Sequence, residues 1–201
     1  MKRWGRFILL AVLLIIVLAF YLTLSGKHSP ERQATGDTAT GTAAEIAQAL
    51  KPMGCTLTIP EGMTLSRKAK DFLWFTDNGA SIMRNICLYS YPAEALDTAL
   101  VIQKRDSVMR QNMPGEEPQM YVKTEAGLPV GYQWSAEGIL RTSGWWEMEG
   151  DMMGGPFVSH SRLDKKRGRI LVAEAFLYAP DRDKELPLQR LEEALQTLRL
   201  E

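Results

Sequence analysis

The sequence predicts an α+β domain, a predominantly antiparallel sheet with helices packed on a face, preceded by a single transmembrane helix. Three observations lead there. From Cys55 onward, segments of period-two apolar alternation follow one another, joined mostly by short, turn-rich stretches. Two segments, one holding Val101–Met113 and one holding Leu188–Leu198, switch to helical spacing. Near the start, an uninterrupted apolar run from Phe7 to Leu24 follows the basic residues Lys2, Arg3 and Arg6.

The chain of 201 residues has room for one ordinary domain plus an anchor and a linker. We divide it into an anchor over 1–25, a flexible linker over 26–42 and an extracytoplasmic domain over 43–201. Twenty-four basic residues balance 24 acidic ones, so no global basic field recruits nucleic acid.

The anchor comes first. About 18 residues of helix rise roughly 27 Å, close to the hydrocarbon thickness of a bilayer. The basic flank should remain cytoplasmic, which puts the rest outside: a single-pass inner-membrane protein with a periplasmic C-terminal domain. A cleaved signal peptide is the other reading, although its apolar core is usually only about 7–15 residues. The linker is rich in Gly, Ser, Thr and Pro and cannot bury enough surface to order itself.

Thr42 and Glu45 stand at capping-box spacing, with Ile46, Ala49, Leu50 and Met53 following at helical spacing, so a short helix should enter the domain. Pro52 and Gly54 end it. "CTLTIP", "DFLWFT" and "SIMRNICLYSYP" then read as strands, and "AEALDTALVIQKRDSVMRQNM" reads as a helix stopped by Pro114-Gly115. "PQMYVKTE", "GILRTSGWWEMEGD", "GPFVSHSRLD" and "GRILVAEAFLYAP" give four further strands. "LPLQRLEEALQTLRL" closes as a helix whose Leu188, Leu191, Leu195 and Leu198 form one stripe. The small residues Ala173, Ala175 and Ala179 on one side of the last strand suit close approach of that helix.

Strand parity interprets the unusual stretch "GWWEMEGDMMGGPFVSHSR". Adjacent strand residues point to opposite faces, so Trp145 and Trp146 cannot share a pocket. Trp146 falls with Leu140, Met148 and Met152, which reads as core. Trp145 falls with Arg141, Glu147, Glu149 and Asp151, a wetter face and a candidate partner surface. "MGGPF" reads as a turn in which Gly154 or Gly155 supplies positive φ, and "LDKKRGR" as a hairpin turn bending at Gly168.

The motifs "IPEGMTLSRKAKDFLWF", "RNICLYSYP", "KRDSVMRQNMPG", "WEMEGDMMGGPFVSHSR" and "VAEAFLYAP", followed by "LQRLEEALQTLRL", together carry a resemblance. In this order they are similar to a family of envelope proteins from Bacteroidota, domain of unknown function 4837. The resemblance runs from about Ile46 to the C-terminus. It implies an envelope address outside the inner membrane, and it implies no activity, cofactor or catalytic residue. Members of the family are typically longer, with another α/β half ahead of this region. "GLPVGYQWSAEGILRTSG" departs from the family pattern.

Reactive chemistry has few candidates. His160, flanked by Ser159 and Ser161, would belong to an envelope hydrolase if it acted with Glu174 or Ser159, but no nucleophile-elbow pattern surrounds either serine. A partly exposed strand histidine is the plainer reading. With His28 in the linker, a multi-histidine zinc site is excluded. Met148, Met152 and Met153 read as core filler before Cu(I) ligands, and Glu147, Glu149 and Asp151 as a solvated face before a Ca²⁺ site. "KRD" at Lys104–Asp106 reads as a helix-surface element. We therefore expect no catalytic, cofactor or metal residues. Cys55 and Cys87 are the candidate pair for a disulfide, given an oxidising compartment. The partners expected are the membrane, through Phe7–Leu24, and an envelope protein or a second copy of the chain. A non-catalytic binding or scaffolding module is the leading function.

Overall fold

A computed structural model describes residues 43–201; the apolar run at Phe7–Leu24 and the linker lie outside the described residues. No helix among the described residues is long and apolar enough to cross a membrane. The domain opens with helix α1 (Ala43–Leu50) and a 3-10 turn (Lys51–Met53). Gly54 terminates them at φ +59°, its N–H returning to the Lys51 carbonyl at 3.0 Å. Strands β1 (Cys55–Thr56), β2 (Thr64–Ala69), β3 (Phe72–Thr76) and β4 (Met83–Pro92) follow, then helix α2 (Thr98–Asn112). Next come β5 (Val122–Thr124), β6 (Gly131–Trp134), β7 (Leu140–Met148), β8 (Gly154–Asp164) and β9 (Arg169–Tyr178). Helix α3 (Glu185–Leu195) and the short β10 (Arg199–Leu200) close the chain.

The main sheet is antiparallel throughout and runs β2-β3-β4-β9-β8-β7-β5, with β6 also paired to β7. β5 and β6 share one edge: β6 pairs with Leu140–Ser143 and β5 with Trp146–Met148. β1 and β10 form a separate two-stranded ladder that brings the two ends of the domain together. Because β9 lies between β4 and β8, α2 must carry the chain across the sheet to its far edge.

The helices cover both faces of the sheet. Strand parity gives the reason: the middle of β4 and β9 is buried on both sides, with Ile86, Leu88, Ala173 and Ala175 on one and Cys87, Tyr89, Val172 and Phe176 on the other, so neither side can be left wet. On one face Leu50 of α1, Leu191 and Leu195 of α3, and Leu198 just beyond the end of α3 pack onto Leu73, Ile86, Leu88, Ala173 and Ala175. On the other, Met109 and Met113 at the end of α2 meet Phe72, Cys87, Tyr89, Trp146, Phe157 and Phe176. Asp97 caps α2, its side chain accepting from the Ala99 N–H at 2.9 Å.

Two strands carry no apolar signal in the sequence. β2, "TLSRKA", is mostly exposed and shows no apolar alternation. β6, "GYQW", lies exposed at the opposite edge. "CTLTIP" also forms a ladder only over Cys55–Thr56. The glycines of "MGGPF" have another role than the one expected. Positive φ falls at Gly150 (+81°), whereas Gly154 and Gly155 are inside β8. A Cβ at Gly155 would lie 2.1 Å from the Leu177 carbonyl oxygen, the atom to which Trp146 Nε1 donates at 2.9 Å. Gly155 thus leaves room for an indole to cross its own cross-strand partner and reach β9. Gly168 bends the β8–β9 hairpin as its sequence implied, at φ +61°.

Candidate functional site

β7 and β8 display their α3-facing side chains toward the exposed β6 edge. On β7 that row is Arg141, Ser143, Trp145 and Glu147; on β8 it includes Val158, His160 and Arg162. The two tryptophans separate as period two requires: Trp145 is 41% exposed and Trp146 2%. Trp146 meets Phe176 edge to face, with centroids 5.4 Å apart at 72°. Met152 departs from the core set in which parity placed it. β7 ends at Met148, and in the turn that follows Met152 is fully solvent-exposed.

The charges beside Trp145 are paired. Arg141 grips Glu192 of α3 with both arms of its fork, Nε at 2.5 Å and Nη2 at 2.9 Å. His160 Nε2 lies 3.1 Å from the same carboxylate. Partial burial works to raise the Glu192 pKa, but the hydrogen bonds from His160 and Arg141 prevail and hold it at about 2. Lys123 bridges Glu147 at 3.0 Å and also pairs with Glu149. A cleft of about 340 Å³ opens next to this cluster, lined by Trp134, Arg141, His160, Arg162 and Glu192 among others.

His160 is buried, not partly exposed, and the arrangement needed for a hydrolase is missing. Ser159 and Glu174 are cross-strand partners on the α2 face, while His160 pairs with Ala173 and points to the α3 face. The sheet itself stands between the imidazole and both proposed partners. Cys55 and Cys87 are likewise separated. Both are free and buried, Cys55 in the α1/α3 core and Cys87 in the α2 core. Burial pushes the Cys55 thiol up to about 11 and the Cys87 thiol well above its ordinary value, so neither is an activated nucleophile. Among the described residues no group of three or more His, Cys, Asp or Glu side chains is arranged to hold a metal ion.

The sequence reading missed the most concentrated polar cluster. Arg105, expected on the surface of α2, is fully buried and forks onto Glu174, with Nε at 3.0 Å and Nη2 at 2.8 Å from Oε1. Tyr89 Oη donates to Glu174 Oε2 at 3.2 Å, and the guanidinium carbon stands 4.0 Å over the Phe157 ring. Asp106 completes the cluster by accepting from the Thr124 N–H at 2.9 Å and from Arg105 Nη1 at 3.0 Å. Burial raises the pKa of Glu174 against the pull of Arg105 and Tyr89; burial also opposes the charge of Arg105, and Glu174 more than restores it. A signal was present. Val101, Arg105 and Met109 recur at four-residue spacing, which puts the arginine in the middle of a buried stripe.

The Arg105–Glu174 pair is closed to solvent and fastens α2 to the sheet; an open, chemically varied surface is the one around Arg141, Trp145 and the cleft. No curated protein matches the chain. A family model, Domain of unknown function (DUF4837), matches residues 43–197. These residues are nearly the whole of the described domain, and the chain belongs to that family.

Proposed function

We propose that the chain is a non-catalytic binding or scaffolding module of the cell envelope. In this reading Phe7–Leu24 anchors it in the inner membrane, with Met1–Arg6 cytoplasmic and the domain periplasmic. The observation that carries the binding role is Trp145: a large aromatic, 41% exposed, standing in a row with Arg141 and Glu147, whose charges are already paired. An exposed indole within a satisfied polar rim has the composition favoured at interaction hot spots, because the partner need not desolvate free charges to reach it. The topology rests on the basic residues ahead of the apolar run.

A photo-crosslinking residue in place of Trp145, in full-length protein in intact cells, tests the binding role. The reading requires one adduct of discrete mass from position 145 and none from position 132. Tyr132 has similar exposure but projects toward the other face of the sheet. Identical patterns from both positions, or no discrete adduct, would count against it. Protection of the domain from protease added outside spheroplasts would overturn the topology.

A further inference from the structure

We propose that the cleft centred on Arg162 binds the carboxylate of a small organic acid, with the body of the acid lying against Ile139. The assignment does not depend on the Trp145 surface, since Trp145 does not line this cleft. Arg162 lies on β8 two residues beyond His160 and lines both the 340 Å³ cleft and an adjoining one of about 350 Å³ that reaches Lys165 and Leu200.

Its guanidinium is under-satisfied. Nε is buried without a hydrogen-bond partner, and the side chain makes no hydrogen bond or ion pair with the described residues. One acid of the cleft, Glu192, is already committed to Arg141 and His160. Glu137 attracts Arg162 from a distance, but it is fully exposed and bonded to Ser135. Arg199 is close enough to oppose the charge of Arg162, and Lys165 adds a further cation. Together these groups leave an excess of positive charge around a partly desolvated arginine. A half-buried cation in that state is stabilised by an incoming anion that brings its own acceptors.

The class of anion follows from the remaining lining. A planar guanidinium fork matches the two oxygens of a carboxylate. Glu137 and Glu192 line the same cleft and would face the extra charge of a phosphate dianion, so a monoanion fits better. Ile139, which lines both clefts, offers an apolar wall, and Gln133 and Gln196 offer amide donors and acceptors. A volume of about 340 Å³ is at the small end of ligand sites, which run from roughly 300 to 1,000 Å³, and suits a compact acid.

The test uses full-length protein in detergent, titrated calorimetrically with benzoate, with the neutral isostere benzamide and with inorganic phosphate. Benzoate should bind saturably and at least about tenfold more tightly than benzamide, the scale of one charge-assisted hydrogen bond. Arg162→Gln should weaken benzoate by about tenfold or more, with Arg162→Lys retaining part of the affinity. Ile139→Ala leaves Arg162 in place and should weaken benzoate as well, so a folding defect in the arginine variants would not protect the idea. The proposal is overturned by the absence of a saturable response, by equal binding of benzamide, by tighter binding of phosphate than benzoate, or by affinities unchanged in folded Arg162→Gln.

Discussion

The two faces of the sheet are built on different principles. The α3 face is aliphatic: leucines of α3 settle on alanines and leucines of β9, and the small residues let the helix sit close. The α2 face is aromatic and sulfur-rich, and it buries an ion pair between Arg105 and Glu174 together with the unpartnered hydroxyls of Thr142 and Ser161. A leucine stripe holds its helix by area and tolerates small shifts. A bidentate ion pair in the interior does not, because any displacement leaves a buried charge unpaired. One sheet thus holds α2 by a fully buried ion pair, and α3 mainly by packing, with Glu192 clamped at its margin by Arg141 and His160.

The largest effects should come from breaking the ionic face asymmetrically. Arg105→Ala, or Glu174→Ala, should cost about 3–5 kcal/mol in chemical denaturation, since each leaves its partner charged and buried. Replacing both, as Arg105→Met with Glu174→Leu, should recover most of that loss, and a double variant no better than the worse single one would refute the assignment. Leu195→Ala, on the aliphatic face, should cost about 2–5 kcal/mol through a cavity, and no added substitution at Arg105 or Glu174 should rescue it. Coupling between Leu195 and the ion pair would mean the faces are not independent.

A smaller effect lies in the pH dependence contributed by Glu192. Its folded pKa, about 2, is below the ordinary carboxylate value of about 4.3, so its contribution is fully present above that value. The contribution is lost as pH falls toward 2. It amounts to about 3 kcal/mol at most, and solvent screening of the partly exposed cluster lowers it further. Glu192→Gln should flatten the stability profile over that window; a profile unchanged from wild type would show that Arg141 and His160 do not hold the carboxylate. The smallest effect expected is from Trp145→Ala, within about 0.5 kcal/mol of wild type, as for exposed positions generally. Trp146→Ala should instead cost about 3–5 kcal/mol. Equal losses at the two positions would erase the distinction between surface and core drawn at β7.

Much of the fold was legible because its signals are local. The alternation in "DFLWFT" and "GRILVAEAFLYAP" identified strands, and the leucine spacing identified α3. β2 and β6 were missed because both are exposed on each side, so no apolar alternation exists to be read. The candidate site was legible only in part. Arg141 and Trp145 were picked out by parity, whereas Glu192 and Arg162 were not. Glu192 belongs to a helix far along the chain, and Arg162 has the local sequence of an ordinary strand-end arginine. Arg105 was misread for a related reason: on a helix of mixed polarity, a charged residue in the buried stripe is indistinguishable from the solvent face until its partner is known.

The sequence by itself determined which residues of each strand share a face, because strand geometry alternates side chains whatever the strand packs against. It likewise determined the leucine stripe of α3 and the bend at Gly168, which depend on neighbours a few residues away. Only the tertiary structure decided that Arg105 meets Glu174, that Ser159 and Glu174 lie across the sheet from His160, and that Cys55 and Cys87 occupy separate cores. Each of these depends on strand order and register between segments distant in sequence, and a shift of one residue in register would send every side chain of the strand to the opposite face.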